Sequence, residues 1–237
     1  MLDPRRPVPG WVPPPLPVGR LLRGRQVSVE PLDPARHVGD LWSGVRGHPA
    51  MWDFMGYGPF AEATDYAALL ARLAGAAELV AVAILGPAGR ARGVATWLRI
   101  DPPAGSVEIG HIHLAPAFQR TTAATEALSL MIGHCFDLGY RRVEWKCDAA
   151  NLASRRAAER LGFSHEGVFR NAAVVKGRNR DTAWFAIIAE DWPALRAAHA
   201  AWLAPPNFDG EGRQRQSLSG LTAPLLFSRD PALQRAP

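Results

Sequence analysis

The order of apolar segments along the chain predicts an α/β fold, a mixed sheet with helices on both faces. Short segments that alternate between polar and apolar residues, or are apolar throughout, are typical of strands, whereas apolar residues every three or four positions indicate helices. These patterns follow one another as strand, two helices, three strands, helix, strand, helix, two strands and helix. A mixed sheet covered on both sides accommodates that order, and 237 residues are enough to bury one sizeable core.

The first part of the chain is expected to contribute four strands and two helices to a domain of residues 21–204. Residues 1–20 carry seven prolines, which disfavour both helices and sheet ladders, so this segment is predicted to be an extended, proline-rich N-terminal arm. Asp33 and Pro34 are suited to begin the first helix, and Thr64 or Asp65 is expected to cap the second. Strands are predicted over residues 26–32, 78–85, 92–100 and 107–114, and the last three are expected to form an antiparallel meander.

The second part of the chain is expected to begin with a long helix that ends at Gly139, a residue suited to the left-handed turn after a helix. A strand over residues 142–147 follows, and then a helix that Asn151 caps and Gly162 closes. The remaining predicted elements are strands at 163–169 and 183–189 joined by a polar loop at 175–181, a helix from about 191 to 203, and a C-terminal tail at 205–237.

Composition narrows the classes of protein to which the chain can belong. The N-terminal segment lacks the apolar stretch of a secretion signal and no apolar run is long enough to cross a bilayer, so a cytoplasmic location without a membrane partner is expected. Cys135 and Cys147 favour reduced core thiols over a disulfide scaffold. The net charge of +5 comes mainly from scattered arginines, and there is no basic run interleaved with aromatic residues, so nucleic acid is not an expected partner.

The segment Val107–Gly139 carries the first functional signal, because its pattern indicates a strand, a short turn and a long helix. A helix N-terminus presents unpaired N–H groups and a partial positive charge, which attract anions such as phosphate. Thr121–Thr125 supplies the small side chains that close backbone approach requires, and Arg120 can add a charge-assisted contact. An ordinary threonine-capped helix explains the same residues equally well.

A second segment, Asn151–Arg156, opens a helix directly after a strand and therefore lies near the carboxyl end of that strand. Ligands favour this edge in open α/β sheets, although a capped surface helix accounts better for the segment when it is considered alone. The segment is therefore informative only in combination with the phosphate-binding turn.

Together, the two segments resemble the GNAT superfamily of N-acetyltransferases. The resemblance rests on Gln119–Ala127 and on Asn151–Phe163, which ends in Leu-Gly-Phe, and it covers about residues 25–195. The RimJ/RimL-like branch is the most similar, since the Glu166-Gly167 element and a Gly177…Asp181 loop also recur in it. The proline-rich arm and the C-terminal tail lie outside this core.

The resemblance implies a GNAT-type acyl-CoA N-acyltransferase fold with a mostly antiparallel central sheet, acetyl-CoA as the cosubstrate and no metal. Leu114 and Ala115 would meet the pantetheine through their backbone, and Asn151 and Ser154 through their side chains. Thr122 departs from the family, which usually has glycine there, but a negative φ would keep the phosphate approach open. The pyrophosphate-binding turn falls on Gln119, Arg120, Thr121, Thr122, Ala123 and Ala124, followed by Thr125.

The resemblance also implies direct attack of a primary amine on a thioester in a ternary complex. Glu108 is the predicted general base, acting through water, because it matches the strand glutamate of some family members; a strand carboxylate held in an ion pair is the competing interpretation. His113 is a second catalytic candidate, and His111 on the same strand face is another. Many members place a tyrosine acid where this chain has Ala158, so Ser154 or water is expected to protonate the thiolate.

The acceptor stays open between a peptide N-terminus and a small-molecule amine. Aromatic residues within 42–60 are expected to build its side of the cleft, although a hydrophobic core or a dimer surface explains each of them as well. Asp181 can attract an amine or pair with a neighbouring arginine, and Tyr57 and Tyr140 are hydroxyl donors without a predicted position. A homodimer is left open. The competing functional hypothesis, prompted by Thr122 and Ala158, is a non-catalytic CoA-binding or interaction module with the same fold.

Overall fold

An eight-stranded sheet forms the centre of the computed structural model, which describes residues 3, 5–18 and 20–234. Within those residues the strand order is β1-β2-β3-β4-β5-β6-β8-β7, and only β5 and β6 pair in parallel. This arrangement confirms the predicted α/β fold with a mixed, mostly antiparallel sheet. The strands are β1 Leu22–Arg23, β2 Ser28–Pro31, β3 Leu79–Leu85, β4 Ala91–Asp101, β5 Ser106–Leu114, β6 Arg142–Asp148, β7 Ser164–Val175 and β8 Arg178–Ile188.

The helices begin close to the predicted positions, with one exception. Asp33 caps α1 by accepting hydrogen bonds from the N–H groups of Ala35 and Arg36. The predicted cap of α2 at Thr64 or Asp65 is wrong, because Glu62 is the N-cap and Asp65 lies in the first turn, where its charge favours the helix N-terminus. The helices are α1 Pro34–Val45, α2 Ala63–Gly75, α3 Thr122–Asp137, α4 Leu152–Arg160, α5 Trp192–Leu203, α6 Leu218–Thr222 and α7 Pro231–Gln234.

Two hydrophobic clusters lie on the two faces of the sheet. The larger one packs α3, α4 and α5 against one face and includes Ile109, Met131 and Phe163. The smaller one packs α1 and α2 against the other face around Trp52, Tyr66 and Leu70. Helices therefore cover both faces of the sheet, as the order of elements predicts.

The predicted polar loop at residues 175–181 is wrong, because β7 and β8 continue through it as one long hairpin. Arg178 pairs with Val175, and the connection is reduced to Lys176 and Gly177, whose φ angles are 50° and 73°. Two-residue hairpin turns with positive φ match the twist of the flanking strands, and glycine adopts this conformation without steric cost. The hairpin therefore projects the polar residues of β8 along a strand instead of a loop.

The two terminal segments pack against the domain. In the N-terminal arm, the Trp11 indole donates to the carbonyl of Pro103 at 3.2 Å and lies against the Arg141 guanidinium. The C-terminal segment, predicted as a tail, folds back: α6 buries Leu218, and Asp230 is fully buried. Parts of both segments lie outside the described residues. None of the described helices combines the length and the apolar character that a membrane span requires.

Candidate functional site

A cleft opens where β5 and β6 diverge. These strands pair in parallel only over Ser106–Glu108 with Arg142–Glu144, and beyond Glu108 the edge of β5 that faces β6 has no strand partner. The cleft has a volume of about 870 Å³ and is lined by β5, β6, the N-terminal turn of α4, the β7–β8 hairpin and residues 50–57. Unpaired backbone groups along such an edge are available to hydrogen-bond an extended ligand.

A β-bulge in β5 redirects its side chains at this point. Gly110 pairs with Thr96 and His113 with Val94, so β5 carries one extra residue, and His111 adopts a φ of 49°. An extra residue shifts the alternation of side chains between the faces of a sheet. Accordingly, Ile109 belongs to the core beneath α3, whereas His111 and His113 face the aromatic residues of the α1–α2 side.

The turn before α3 has the properties of an anion site. Thr121 caps the helix, its side chain accepting from the Ala124 N–H at 3.1 Å. Within the described part of the chain, the backbone N–H groups of residues 120–123 have no recorded acceptor. Thr122 is not among the residues with positive φ, and the left-handed position is taken by Arg120 at 62°. The Cβ of Thr122 therefore leaves the backbone of the turn accessible.

The other residues predicted to contact CoA differ in which of their polar groups remain free to bind it. Gln119 lines the cleft and its side-chain amide donates to the Leu114 carbonyl at 3.0 Å. The backbone N–H of Ala115 already donates to Arg92, so it is not free for pantetheine. Ala123, Ala124 and Thr125 are buried beneath the turn. The backbone N–H groups of Ala124 and Thr125 already donate to Thr121, so among these three only the N–H of Ala123 has no recorded acceptor in the described part of the chain.

Glu108 lines the cleft and is held in ion pairs, as the competing interpretation predicts, and its role as general base stays a prediction. Its side chain is about 5% exposed, and its carboxylate lies 2.7 Å from Nη1 of Arg99 and 3.1 Å from Nζ of Lys146. Lys146 also contacts Glu144 at 2.7 Å and stands 3.7 Å from the ring centroid of Trp184. Two cations therefore contact the Glu108 carboxylate at the wall of the cleft.

The two histidines of β5 differ in what their rings can do. The Nε2 atom of His113 lies 2.9 Å from the Tyr66 hydroxyl and its Nδ1 atom 3.2 Å from the His111 carbonyl, and burial lowers the pKa of His113 to about 4. Because both ring nitrogens are engaged, His113 is not assigned a catalytic role. His111 stacks on Tyr57 beside the cleft, and burial together with Arg72 and Arg99 lowers its pKa.

The start of α4 places a hydroxyl in the cleft. Asn151 caps the helix through the Ser154 N–H, and the Ser154 hydroxyl accepts from the Trp145 indole at 3.0 Å. An indole N–H can only donate, so the Ser154 hydroxyl keeps its own proton to donate, and the neighbouring Cys147 is one acceptor for it. Asn151 and Ser154 both line the cleft, together with Cys147, whose pKa burial raises to about 11.

Three residues named from the sequence lie outside the reacting region. Ala158 is fully buried in the core beneath α4, and Tyr140 is buried in the same cluster without lining the cleft. Asp181 accepts from the Asn171 backbone at 2.7 Å and from the Asn179 side chain, which leaves it a structural role in the hairpin instead of an amine-binding one.

Sequence reasoning missed the cationic side chains of the cleft. Arg72, Arg99, Lys146 and Arg180 all line it, although they come from α2, β4, β6 and β8. Lys146 carried one signal, since it is one of only two lysines in the chain. The three arginines gave no such signal in the sequence, because they are scattered among many other arginines.

Comparisons with known proteins agree with this geometry. Residues 27–164 match the model of the acetyltransferase (GNAT) domain family. A GCN5-related N-acetyltransferase from Brucella melitensis is 40% identical, with a TM-score of 0.88 over 91% of this chain and 100% of that chain. "Putative ribosomal N-acetyltransferase YdaF" of Bacillus subtilis is 28% identical over 101 residues, which are 42% of this chain and 55% of that protein. The match thus spans about half of that curated relative.

The RimL-like resemblance holds at the level of the fold. A crystal structure of RimL, an alpha-N-protein acetyltransferase, is 22% identical and superposes with a TM-score of 0.62 over 76% of this chain and 99% of that chain. The family model covers more than half of the sequence, and the Brucella structure covers nearly all of it. The chain therefore belongs to the GNAT family of acetyltransferases and is an acyltransferase enzyme.

Proposed function

We propose that the protein transfers an acetyl group from acetyl-CoA to a primary amine by direct attack in a ternary complex. One observation carries this proposal. The backbone N–H groups of residues 120–123 have no hydrogen-bond acceptor among the described residues, and they lie beside a cleft formed by diverging strands. Unpaired N–H groups at a helix N-terminus fit a pyrophosphate, and GNAT acetyltransferases use acetyl-CoA. Acetyl-CoA supplies a thioester carbonyl that an amine can attack.

The CoA side of the site is assigned to three groups of residues. The turn Gln119–Ala124 holds the pyrophosphate through its backbone, as proposed from the sequence. The unpaired edge of β5 beyond Glu108 takes the pantetheine in place of a strand partner, with Asn151 and Ser154 on the opposite side. A backbone N–H of the bulge near Ile112 polarises the carbonyl oxygen, since donors fixed in position stabilise developing negative charge.

Glu108 is the proposed general base, acting through a water molecule. Its carboxylate contacts Arg99 and Lys146 and lies on the wall of the cleft. The acceptor must lose a proton to attack, and the demand is modest for an α-amino group, whose ordinary pKa is near 8. His111 is the alternative base, because its lowered pKa leaves the ring neutral at pH 7 and the ring lies beside the cleft.

Ser154 is the proposed proton donor to the departing thiolate. The Trp145 indole occupies one acceptor position of the hydroxyl and orients it, so that its own proton can be given. This arrangement compensates for Ala158, which provides no tyrosine hydroxyl. A thiol with an ordinary pKa near 8.5 also leaves readily, so we expect Ser154 to assist the reaction without being essential.

The proposal is tested by thiol release with acetyl-CoA and a panel of peptides, amino acids and small amines, alongside calorimetric binding of CoA. We expect CoA to bind and at least one amine class to release thiol. CoA binding without thiol release on any amine would contradict the proposed reaction, and absence of CoA binding would contradict the assignment of the turn.

A further inference from the structure

The lining of the cleft carries more positive charge than its own acids neutralise. Its lining contains four cationic residues, Arg72, Arg99, Lys146 and Arg180, and two acidic ones, Glu108 and Asp148. Arg99 and Lys146 are held by Glu108, and Lys146 also by Glu144. Arg72 and Arg180 therefore supply the excess, since neither has a recorded ion pair among the described residues.

Arg180 is the better placed of the two to bind a ligand. Its Nε atom is buried without a hydrogen-bond partner in the described part of the chain, whereas Arg72 is exposed and lies 6.0 Å from the Tyr57 ring centroid. Leaving a buried donor of a charged group unsatisfied is costly, so such a group calls for an acceptor. Guanidinium presents paired donors that match the oxygens of a carboxylate or a phosphate.

Arg180 lies on the acceptor side and not at the pyrophosphate turn. It precedes Thr182 and Trp184 along the same face of β8, and these three residues line the cleft together with Phe169 of β7. The charges of CoA are assigned to the turn before α3, so a second anion in the cleft must come from the acceptor. This step rests on the proposed function.

The size of the site favours a small molecule. The volume of about 870 Å³ must hold the acetylated end of the pantetheine as well as the acceptor. In addition, Lys176 at the tip of the β7–β8 hairpin donates to the Trp52 carbonyl at 2.8 Å, which joins two segments that flank the cleft. A bulky acceptor would have to break this contact.

We propose that the acceptor is a small amine that carries an anionic group, a carboxylate or a phosphate, and that Arg180 binds this group. Arg180 is thus a specificity-determining residue: it places the anion so that the amine at the other end of the molecule lies toward Glu108. The amine attacks the thioester carbonyl, the carbon–sulfur bond breaks, and the amine proton leaves through water to Glu108. The thiolate takes a proton through the Ser154 hydroxyl, which regains one from water, and Glu108 returns its proton to the solvent, so that the products are the amide and the free thiol of CoA.

Binding without turnover tests the anion site directly. N-acetyl-β-alanine and N-acetyl-2-aminoethyl phosphate present the two anions, and N-acetylethanolamine is the neutral counterpart. With the CoA-saturated enzyme we expect calorimetry to show at least tenfold tighter binding of one anionic compound, and its identity distinguishes carboxylate from phosphate. Arg180→Gln is expected to abolish the preference, Arg180→Lys to restore part of it, and Arg178→Gln, an exposed arginine on the same strand, to retain it.

Equal affinity for anionic and neutral compounds in the wild-type protein would overturn the proposal, and so would an equal loss in Arg178→Gln. A weakened affinity for CoA itself in Arg180→Gln would also overturn it, by assigning the guanidinium to CoA.

Turnover separates this proposal from the proposed function. With β-alanine, 2-aminoethyl phosphate and ethanolamine as acceptors, we expect kcat/KM to fall at least tenfold in Arg180→Gln for the preferred anionic amine and less than twofold for ethanolamine. Anion binding that depends on Arg180 without thiol release would retain the anion site and refute the transferase reaction. Thiol release without a preference for the anionic amines would retain the transferase reaction and refute the anion site.

Discussion

At the scale of single residues, the chemistry depends on how charges are partnered. Glu108 is almost fully buried between two cations, Arg99 and Lys146, at the wall of the cleft. Arg180 has a buried donor without a partner among the described residues. One charge is thus satisfied within the protein, whereas the other is available to a ligand.

Replacing Glu108 by glutamine tests the proposed base. The amide cannot accept a proton, so we expect kcat to fall at least about 100-fold, the lower range for loss of a general base, with little change in the affinity for CoA. Glu144→Gln is the matched control, because Glu144 also contacts Lys146 but does not line the cleft. A similar loss of kcat in both variants would mean that the carboxylates act only by holding Lys146.

A buried histidine away from the cleft gives a prediction about pH. His199 lies 2.9 Å from the Ser129 hydroxyl and 3.0 Å from the Leu161 carbonyl, and burial lowers its pKa to about 4. Because this folded-state pKa lies below the unfolded value of 6.5, the stabilisation is complete above pH 6.5 and is lost as the pH falls toward 4. The loss is about 3 kcal/mol by proton linkage.

Urea denaturation between pH 7 and pH 4 measures this effect. The free energy of unfolding of the wild-type protein is expected to fall more steeply with decreasing pH than that of His199→Gln. Parallel slopes for the two proteins would contradict the assignment.

At the scale of elements, the N-terminus of α3 and the bulge in β5 shape the site. The helix leaves backbone N–H groups unpaired, and the bulge turns His111 and His113 away from the face that buries Ile109. The hairpin of β7 and β8 adds one wall of the cleft because it continues as paired strands where a loop was expected.

Thr122→Pro tests the backbone of the turn without changing its shape. Thr122 is the first residue of α3, where proline is well tolerated, and Thr121 has the extended conformation that precedes proline, with φ −85° and ψ 162°. The substitution removes one N–H donor, so we expect the Kd for CoA to rise about tenfold, in line with the loss of one hydrogen bond to a charged group.

Thr122→Gly is the control, because it retains the N–H group and restores the residue usual in the family. Calorimetry with CoA is expected to show unchanged or tighter binding for this variant. Equal affinity in the glycine and proline variants, with unchanged circular dichroism, would show that the Thr122 N–H does not contact the ligand.

At the scale of the whole molecule, the C-terminal segment fastens the helix that carries Asn151 and Ser154. Arg155 of α4 forms a two-pronged ion pair with Asp230, with both distances at 2.6 Å, and also donates to the Ala149 carbonyl. The Asp230 side chain is fully buried. Residues remote in the sequence thus fix the position of one wall of the cleft.

Asp230→Ala is expected to lower the free energy of unfolding by about 3 kcal/mol, because it leaves the Arg155 guanidinium buried without its counter-charge. Urea denaturation measures the change. Asp209→Ala removes a carboxylate whose partners lie in its own loop, and a change within about 0.5 kcal/mol is expected. A similarly small effect for Asp230→Ala would show that the segment does not stabilise the domain.

The sequence alone determined the features that depend on local patterns. Hydrophobic periodicity predicted the order of strands and helices, Asp33 and Asn151 were identified as helix caps, and the turn at Gln119–Ala124 together with Leu161-Gly162-Phe163 indicated the family. These features are local because helix capping, turn formation and side-chain alternation involve residues only a few positions apart.

Only the tertiary structure decided which charges meet and which remain open. The partners of Glu108 come from two other strands, the bulge that reorients His111 exists only in the register of β5 with β4, and Asp230 reaches Arg155 across 75 positions. No periodic pattern encodes such contacts, because they arise when distant segments pack together. The same packing places Arg180 in the lining of the cleft, a position that its place among many scattered arginines did not reveal.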